Sequence, residues 1–120
     1  MNKTKSFKEL IVWQKAHKLV LEIYKTTKSF PKEEVYALTN QFRRAAVSIP
    51  ANIAEGYKKK TSAAKLNCLN ISEGSLEEVK YYFILAKDLE YMNETLSDKL
   101  YNNAEEVGRL LSGYSNAIIK

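Results

Sequence analysis

The sequence predicts an all-α fold, an antiparallel up-down-up-down four-helix bundle with residues 1–120 forming a single domain. Three observations predict it. Four glycines and two prolines in 120 residues leave little turn punctuation, which disfavours a many-stranded sheet. Apolar residues recur at steps of three and four through four long stretches, the pattern of helices that each bury one face. The breaks between stretches are short, and amphipathic helices joined by short turns pack most simply as antiparallel neighbours. A chain of this length can close a core without staples. Cys68 is the single cysteine, so no intrachain disulfide is possible, as suits a reducing compartment.

The first helix is expected over residues 6–29. Ser6-Phe7-Lys8-Glu9 has the S-x-x-E form of a capping box, in which the serine and the glutamate satisfy each other's orphan amides. Val12, Trp13, Ala16, Leu19, Val20 and Ile23 make its inner face, and Lys8, Lys15, Lys18, Glu22 and Lys25 its wet one. Phe30-Pro31 ends it, because a residue before proline avoids the helical region.

The second helix is expected over residues 31–57, with Pro31 in its first turn, where the missing N–H is harmless, followed by Glu33 and Glu34. Its seam is Leu38, Phe42, Ala45, Ile49 and Ile53, which keeps phase across Pro50. An interior proline costs about 3 kcal/mol in an exposed helix, so a kink is expected there, not a break. The third helix, residues 62–92, is capped by Thr61 or Ser62 and carries Leu66, Leu69, Leu76, Val79, Phe83 and Ala86. Its seam is interrupted at Ser72-Glu73-Gly74-Ser75, where Gly74 is expected to permit a close helix crossing. The fourth, residues 95–119, opens at a second capping box, Thr95-Leu96-Ser97-Asp98, and presents Leu96, Leu100, Val107, Leu110, Tyr114 and Ile118.

The formal charge of +5 is unevenly divided. Residues 1–65 hold 14 Lys/Arg against 5 Asp/Glu, a balance of +9, whereas residues 66–120 hold 5 against 9, a balance of −4. Up-down topology gathers Lys3, Lys5, Lys8, Lys58, Lys59, Lys60, Lys65 and Lys120 at one end and Glu90, Glu94 and Asp98 at the other. Such a molecule attracts polyanions, and equally the acidic half of its own copies. No apolar run approaches the ~18 residues of a membrane span, and Met1-Asn2-Lys3-Thr4-Lys5 does not lead into a signal-peptide core. A cytoplasmic protein without membrane contact is expected.

Catalytic chemistry finds little support. His17 is the only histidine and Cys68 the only thiol, too few for a metal site or an activated nucleophile. Glu55, Glu73, Glu77 and Glu78 could meet across the second and third helices, but no Glu-x-x-His repeat accompanies them. They are expected to pair with Arg43, Arg44 or a neighbouring subunit. No phosphate-cradling glycine loop or serine elbow is present, so the reading is a non-enzyme with no cofactor and no metal. Lys58, Lys59 and Lys60 beside Tyr57, facing Lys3, Lys5, Lys8 and Lys65, are the candidate nucleic-acid contacts, with lysines for phosphates and a tyrosine to stack on a base. The bland alternative is a solvated hairpin tip. Gln41, Arg44, Ser48, Asn52 and Glu55 form a polar stripe beside the apolar seam, with Arg43 adjoining. Half-buried polar groups need partners, so this stripe is read as a registration device within the bundle or across an oligomer interface.

The strings Phe7-Lys8-Glu9-Leu10-Ile11-Val12-Trp13-Gln14-Lys15-Ala16-His17, Phe30-Pro31-Lys32-Glu33-Glu34, Gln41 through Gly56 and Gly74-Ser75-Leu76-Glu77-Glu78 resemble the four-helix-bundle proteins encoded by intervening sequences in bacterial large-subunit rRNA genes. The likeness spans nearly the whole chain, and Arg-Arg-Ala-x-x-Ser-Ile-Pro-x-Asn-Ile-Ala-Glu-Gly is its most specific string. Relatives include the accessory variability proteins of diversity-generating retroelements. The resemblance implies an antiparallel four-helix subunit and a homopentameric ring, with RNA and a reverse transcriptase as partners in the retroelement branch. It implies no enzymatic activity, and it gives Arg43, Arg44, Ser48, Asn52 and Glu55 a pattern without a chemical role.

The expected function is therefore a non-enzymatic homo-oligomer, a pentamer, whose basic surface binds nucleic acid, RNA in preference. The alternative is an adaptor whose partner is another protein.

Overall fold

The four apolar stripes become four helices: α1 (Ile11–Thr27), α2 (Leu38–Tyr57), α3 (Ser62–Asp88) and α4 (Glu94–Ile119). The structure, a computed structural model, describes residues 4–119. Lys3 and Lys120, expected at the basic end, lie outside the described residues. α1 packs on α2 and α4, and α3 packs on the same two, while among the described residues the backbones make no close approach across either diagonal. Hydrogen bonds give the directions. Gln41 meets Tyr82 and the Ile49 carbonyl meets Ser72, so positions climb on α3 as they fall on α2. Arg43 reaches Thr27, and Lys80 reaches Glu105. The result is an antiparallel bundle about 47 Å long.

Its core is the periodic set. Phe42, Phe83, Ile23, Ile49, Ile53, Leu69, Leu100 and Leu111 are fully enclosed, and the Phe42 and Phe83 rings pack edge to face with centroids 5.2 Å apart. Pro50 is buried inside an unbroken α2, so the in-phase seam holds the helix together through it. Trp13, expected inside, is only half-buried; it stacks on His17 at 5.0 Å and packs in a T-shaped pair with Phe7 at 5.1 Å.

The helix ends depart from expectation, each for a local reason. Ser6 does cap, but over a short 3-10 turn, Phe7–Glu9, and Glu9 Oε1 accepts from the Lys5 amide instead of closing the box on Ser6. Leu10 is then extended, and α1 begins only at Ile11. The second helix starts at Leu38, not Pro31. Pro31 is extended (ψ 143°) and introduces a separate 3-10 turn, Lys32–Glu34. Val35 and Tyr36 point into solvent, Tyr36 at 94% exposure, so no buried face supports a helix there.

α3 stops at Asp88. Glu90 takes the left-handed conformation (φ 65°), and the amides of Glu90 and Tyr91 return to the carbonyls of Lys87 and Ala86. This is a Schellman stop without the usual glycine. α4 is capped by Asn93, whose Oδ1 accepts from the Leu96 amide at 2.8 Å, so the expected box at Thr95 is displaced by two residues.

The close helix crossing is also elsewhere. A Cβ on Gly74 would meet nothing within 4 Å, whereas one on Gly56 would lie 3.1 Å from the Cys68 Cβ. Gly56, in the last turn of α2, is what lets α3 approach.

Candidate nucleic-acid interface

The basic end is assembled by a latch. The Tyr57 hydroxyl at the end of α2 donates to the Thr4 carbonyl at 2.7 Å, and the Thr4 hydroxyl lies 2.6 Å from the Tyr57 hydroxyl. Gln14 Nε2 holds the Lys8 carbonyl at 2.8 Å. These bonds fasten the N-terminal arm beside the α2–α3 turn. Lys5 and Lys8 therefore lie at the same end of the bundle as Lys58, Lys59 and Lys60, and all five are exposed.

The five ammonium groups are not equally free. Lys59 reaches Glu55, one turn back, at 3.6 Å, a solvent-screened contact of small energetic weight. Lys5, Lys8, Lys58 and Lys60 make no ion pair among the described residues. Lys65 differs from the free point charge expected of it. Its Nζ lies 2.8 Å from the Tyr57 carbonyl and 3.3 Å from that of Gly56, and 5.8 Å from the centre of the Tyr57 ring. It caps the negative end of α2. Tyr57, expected to be available for a base, is thus engaged at its hydroxyl and attended by a cation at its ring.

The polar stripe divides into three tasks. Arg43 turns to α1: its Nε donates to Thr27 Oγ1 at 2.8 Å, Nη2 lies 3.3 Å from the Tyr24 carbonyl, and the guanidinium sits 4.6 Å from the Tyr24 ring centre. Ser48 and Asn52 work at the α2–α3 seam, where Asn52 Nδ2 donates to the Ser48 carbonyl and hydroxyl, and the Ser75 hydroxyl lies 2.8 Å from that of Ser48. Gln41 joins the same seam, its Oε1 2.9 Å from the Tyr82 hydroxyl, which also reaches Glu78 at 2.5 Å. Burial and the Glu78 carboxylate push that phenol up to about 12. Arg44 and Glu55 remain on the surface. Arg44 lines an open groove with Tyr24, Val47, Ser48, Ser75 and Glu78.

Among the described residues, none of the acids expected to pair with Arg43, Arg44 or a neighbouring subunit pairs with either arginine within the chain. Glu77 and Glu105 both hold Lys80, each at 2.6 Å, and Glu78 holds Tyr82. Among the described residues no group of three His, Cys, Asp or Glu side chains converges on a metal position, and none of their helices is long and apolar enough to cross a membrane. Lys18 and Lys25, expected on the wet face of the first helix, are exposed there, seven residues apart on one helical stripe, so basic side chains also run along the outer side of α1.

The chain's similarity to known proteins is consistent along its length. The family described as 23S rRNA-intervening sequence protein matches residues 8–113. A protein of unknown function from the S23 ribosomal protein family of Bacteroides thetaiotaomicron has a similar crystal structure. The TM-score is 0.82 at 25% identity, covering 88% of this chain and 96% of that one. No curated protein matches the chain.

Proposed function

Because this chain belongs to the 23S rRNA-intervening sequence protein family, we propose that it is a non-enzymatic, homo-oligomeric helical scaffold, a cytoplasmic pentamer that binds RNA through Lys5, Lys8, Lys58, Lys59 and Lys60. The observation that carries the RNA reading is the latched basic end, where separate segments of the chain bring five exposed lysines to one end of the bundle. Lysines on such a surface act as adaptable contacts to phosphates. Self-association is supported by α3, which exposes Ile71, Tyr81 and Ile84, and by Val47 on neighbouring α2. Large apolar side chains left in solvent along one helix suit contact with another protein surface. The pentameric number comes from the family resemblance alone.

Two measurements test this reading. Sedimentation returning a monomer overturns the assembly. RNA affinity should fall steeply with salt, with a log–log slope of about −0.7 per phosphate contact on single strands, and replacing Lys58, Lys59 and Lys60 with alanine should flatten that slope. An affinity indifferent to salt and to the triple substitution removes the site.

The exposed α3 residues also favour a second reading, an adaptor for another polypeptide. A partner that stays bound through nuclease treatment distinguishes it.

A further inference from the structure

At the opposite end of the bundle, the connection from α1 to α2 encloses a pocket of about 350 Å³ whose polar lining is Thr27, Lys28, Lys32, Thr39, Asn40 and Arg43. Three cations face it and no acid lines it. Three features make it more than a basic patch. Arg43 is already fixed by its bonds to Thr27 and to the Tyr24 carbonyl, so its guanidinium is held in place before any ligand arrives. The pocket also lies against the first turn of α2, a 20-residue helix whose N-cap, Ala37, offers no side-chain cap. The amides of Thr39 and Asn40 are among the first-turn donors that have no intrahelical acceptor. Finally, Thr39 is 5% exposed and its buried Oγ1 has no hydrogen-bond partner, a costly state for a hydroxyl.

The nearby acids are occupied or outside. Glu34 spends its carboxylate on the Leu38 amide at 3.2 Å and the Tyr91 hydroxyl at 2.8 Å, and Glu33 is exposed and absent from the lining. The end of α1, whose dipole would repel an anion, is partly neutralised by Arg43 at the Tyr24 carbonyl. What fits three cations, free helix-start amides and an orphan hydroxyl is a small tetrahedral anion.

We propose that this pocket is a phosphate-binding site, with Lys28, Lys32 and Arg43 supplying charge and the Thr39 hydroxyl and first-turn amides of α2 supplying directed hydrogen bonds. It is separate from the RNA surface proposed above and does not depend on it. Val35, on the pocket's apolar side, and the fully solvent-facing Tyr36 next to it leave room for a nucleoside attached to the phosphate.

The test is an amide-resolved NMR titration of the full chain with inorganic phosphate, then with a short oligoribonucleotide carrying or lacking a 5′-phosphate. The Thr39 and Asn40 amides should shift with inorganic phosphate. Combining Lys28→Ala with Lys32→Ala should weaken the binding of inorganic phosphate about tenfold or more, while Lys58→Ala, Lys59→Ala and Lys60→Ala together leave inorganic phosphate binding unchanged and weaken only that of the oligoribonucleotide. No shift at these amides, or full affinity in the double variant, overturns the site. Thr39→Val should raise the melting temperature in phosphate-free buffer yet weaken phosphate binding; a variant that melts earlier and binds as before overturns the hydroxyl's role. The proposal stands whichever source of phosphate binds best. A preference for the 5′-phosphorylated oligonucleotide identifies an RNA terminus, and an affinity no better than that of inorganic phosphate identifies a free small anion.

Discussion

The Ser72 hydroxyl of α3 donates to the Ile49 carbonyl of α2 at 2.8 Å, one residue before Pro50 and entirely out of water. It ties the two helices at the point where α2 has lost a backbone donor. Ser72→Ala removes the bond without stranding a buried donor, so a loss of about 1 kcal/mol is expected. Ser72→Leu must also force volume into a closed crossing and should cost more, about 1–3 kcal/mol from overpacking alone. Urea denaturation ranks the two; equal midpoints would contradict the packing account.

Arg43 and Arg44 are neighbours in sequence and opposites in structure. Arg43 joins α2 to the end of α1 through two hydrogen bonds and the Tyr24 ring, whereas Arg44 is exposed at an open groove. Arg43→Ala should destabilise the fold by about 1–3 kcal/mol, and Arg44→Ala by less than about 0.5 kcal/mol. If Arg44→Ala disrupts assembly while leaving the melting temperature of the subunit unchanged, the groove belongs to a subunit contact. The reverse order of the two stabilities would refute this assignment.

The glycines make opposite predictions. Gly74→Ala enters open space in a helix interior, so it should stabilise the fold by about 0.5–1 kcal/mol. Gly56→Ala brings a methyl to 3.1 Å from the Cys68 Cβ, and neither atom can swing aside. Its helix-propensity gain is then outweighed by displacement of α3, and a net loss is expected. Thermal unfolding of the two variants tests the sign of each.

Glu90 holds the left-handed position of the α3 stop, a conformation that costs a residue with a side chain about 1–2 kcal/mol. Glu90→Gly should therefore stabilise, by about 0.5–1 kcal/mol once the greater freedom of glycine in the unfolded chain is included. A lower denaturation midpoint would show that the glutamate side chain is needed there.

Stability should fall at both extremes of pH. The Lys80 ammonium lowers the Glu105 carboxyl below its usual range, so that contribution is present above the ordinary carboxyl pKa and lost as pH falls through the lowered folded value. Lys80 is raised by its bonds to Glu105 and Glu77; its contribution is present below the ordinary ammonium pKa and lost as pH rises through the folded one. Tyr82, pushed by burial and Glu78 from 10 to about 12, behaves in the same sense and loses its contribution across that interval. Tyr82→Phe should flatten part of the alkaline limb, and Lys80→Met part of the acid limb. Urea midpoints followed against pH check both.

The fold was legible because four seams of apolar residues kept helical phase, and Phe42, Ile49, Phe83 and Leu100 declared their burial by position alone. The ends were less so. Residues 31–37 contain good helix formers, yet Tyr36 stands in solvent and Val35 is nearly half exposed, too little buried face to hold a helix, and a fact about neighbours is invisible in a local pattern. Glu90 ends α3 without glycine, so the usual marker was missing. At the basic end, the sequence supplied the lysines but not the carbonyls that occupy Lys65, which depend on how α2 happens to end. The pocket between α1 and α2 was hidden most thoroughly. Lys28, Lys32 and Arg43 share no helical stripe, and only the bend at Pro31 brings them to one cavity.

Cys68, closed beneath Gly56 at the crossing of α2 and α3, is the only thiol in the chain, so the protein carries its own chemical clock. A thiol reagent can reach that sulfur only when the two helices part, and its rate of labelling under native conditions reads how often they do. Any variant or ligand that tightens the crossing slows the clock.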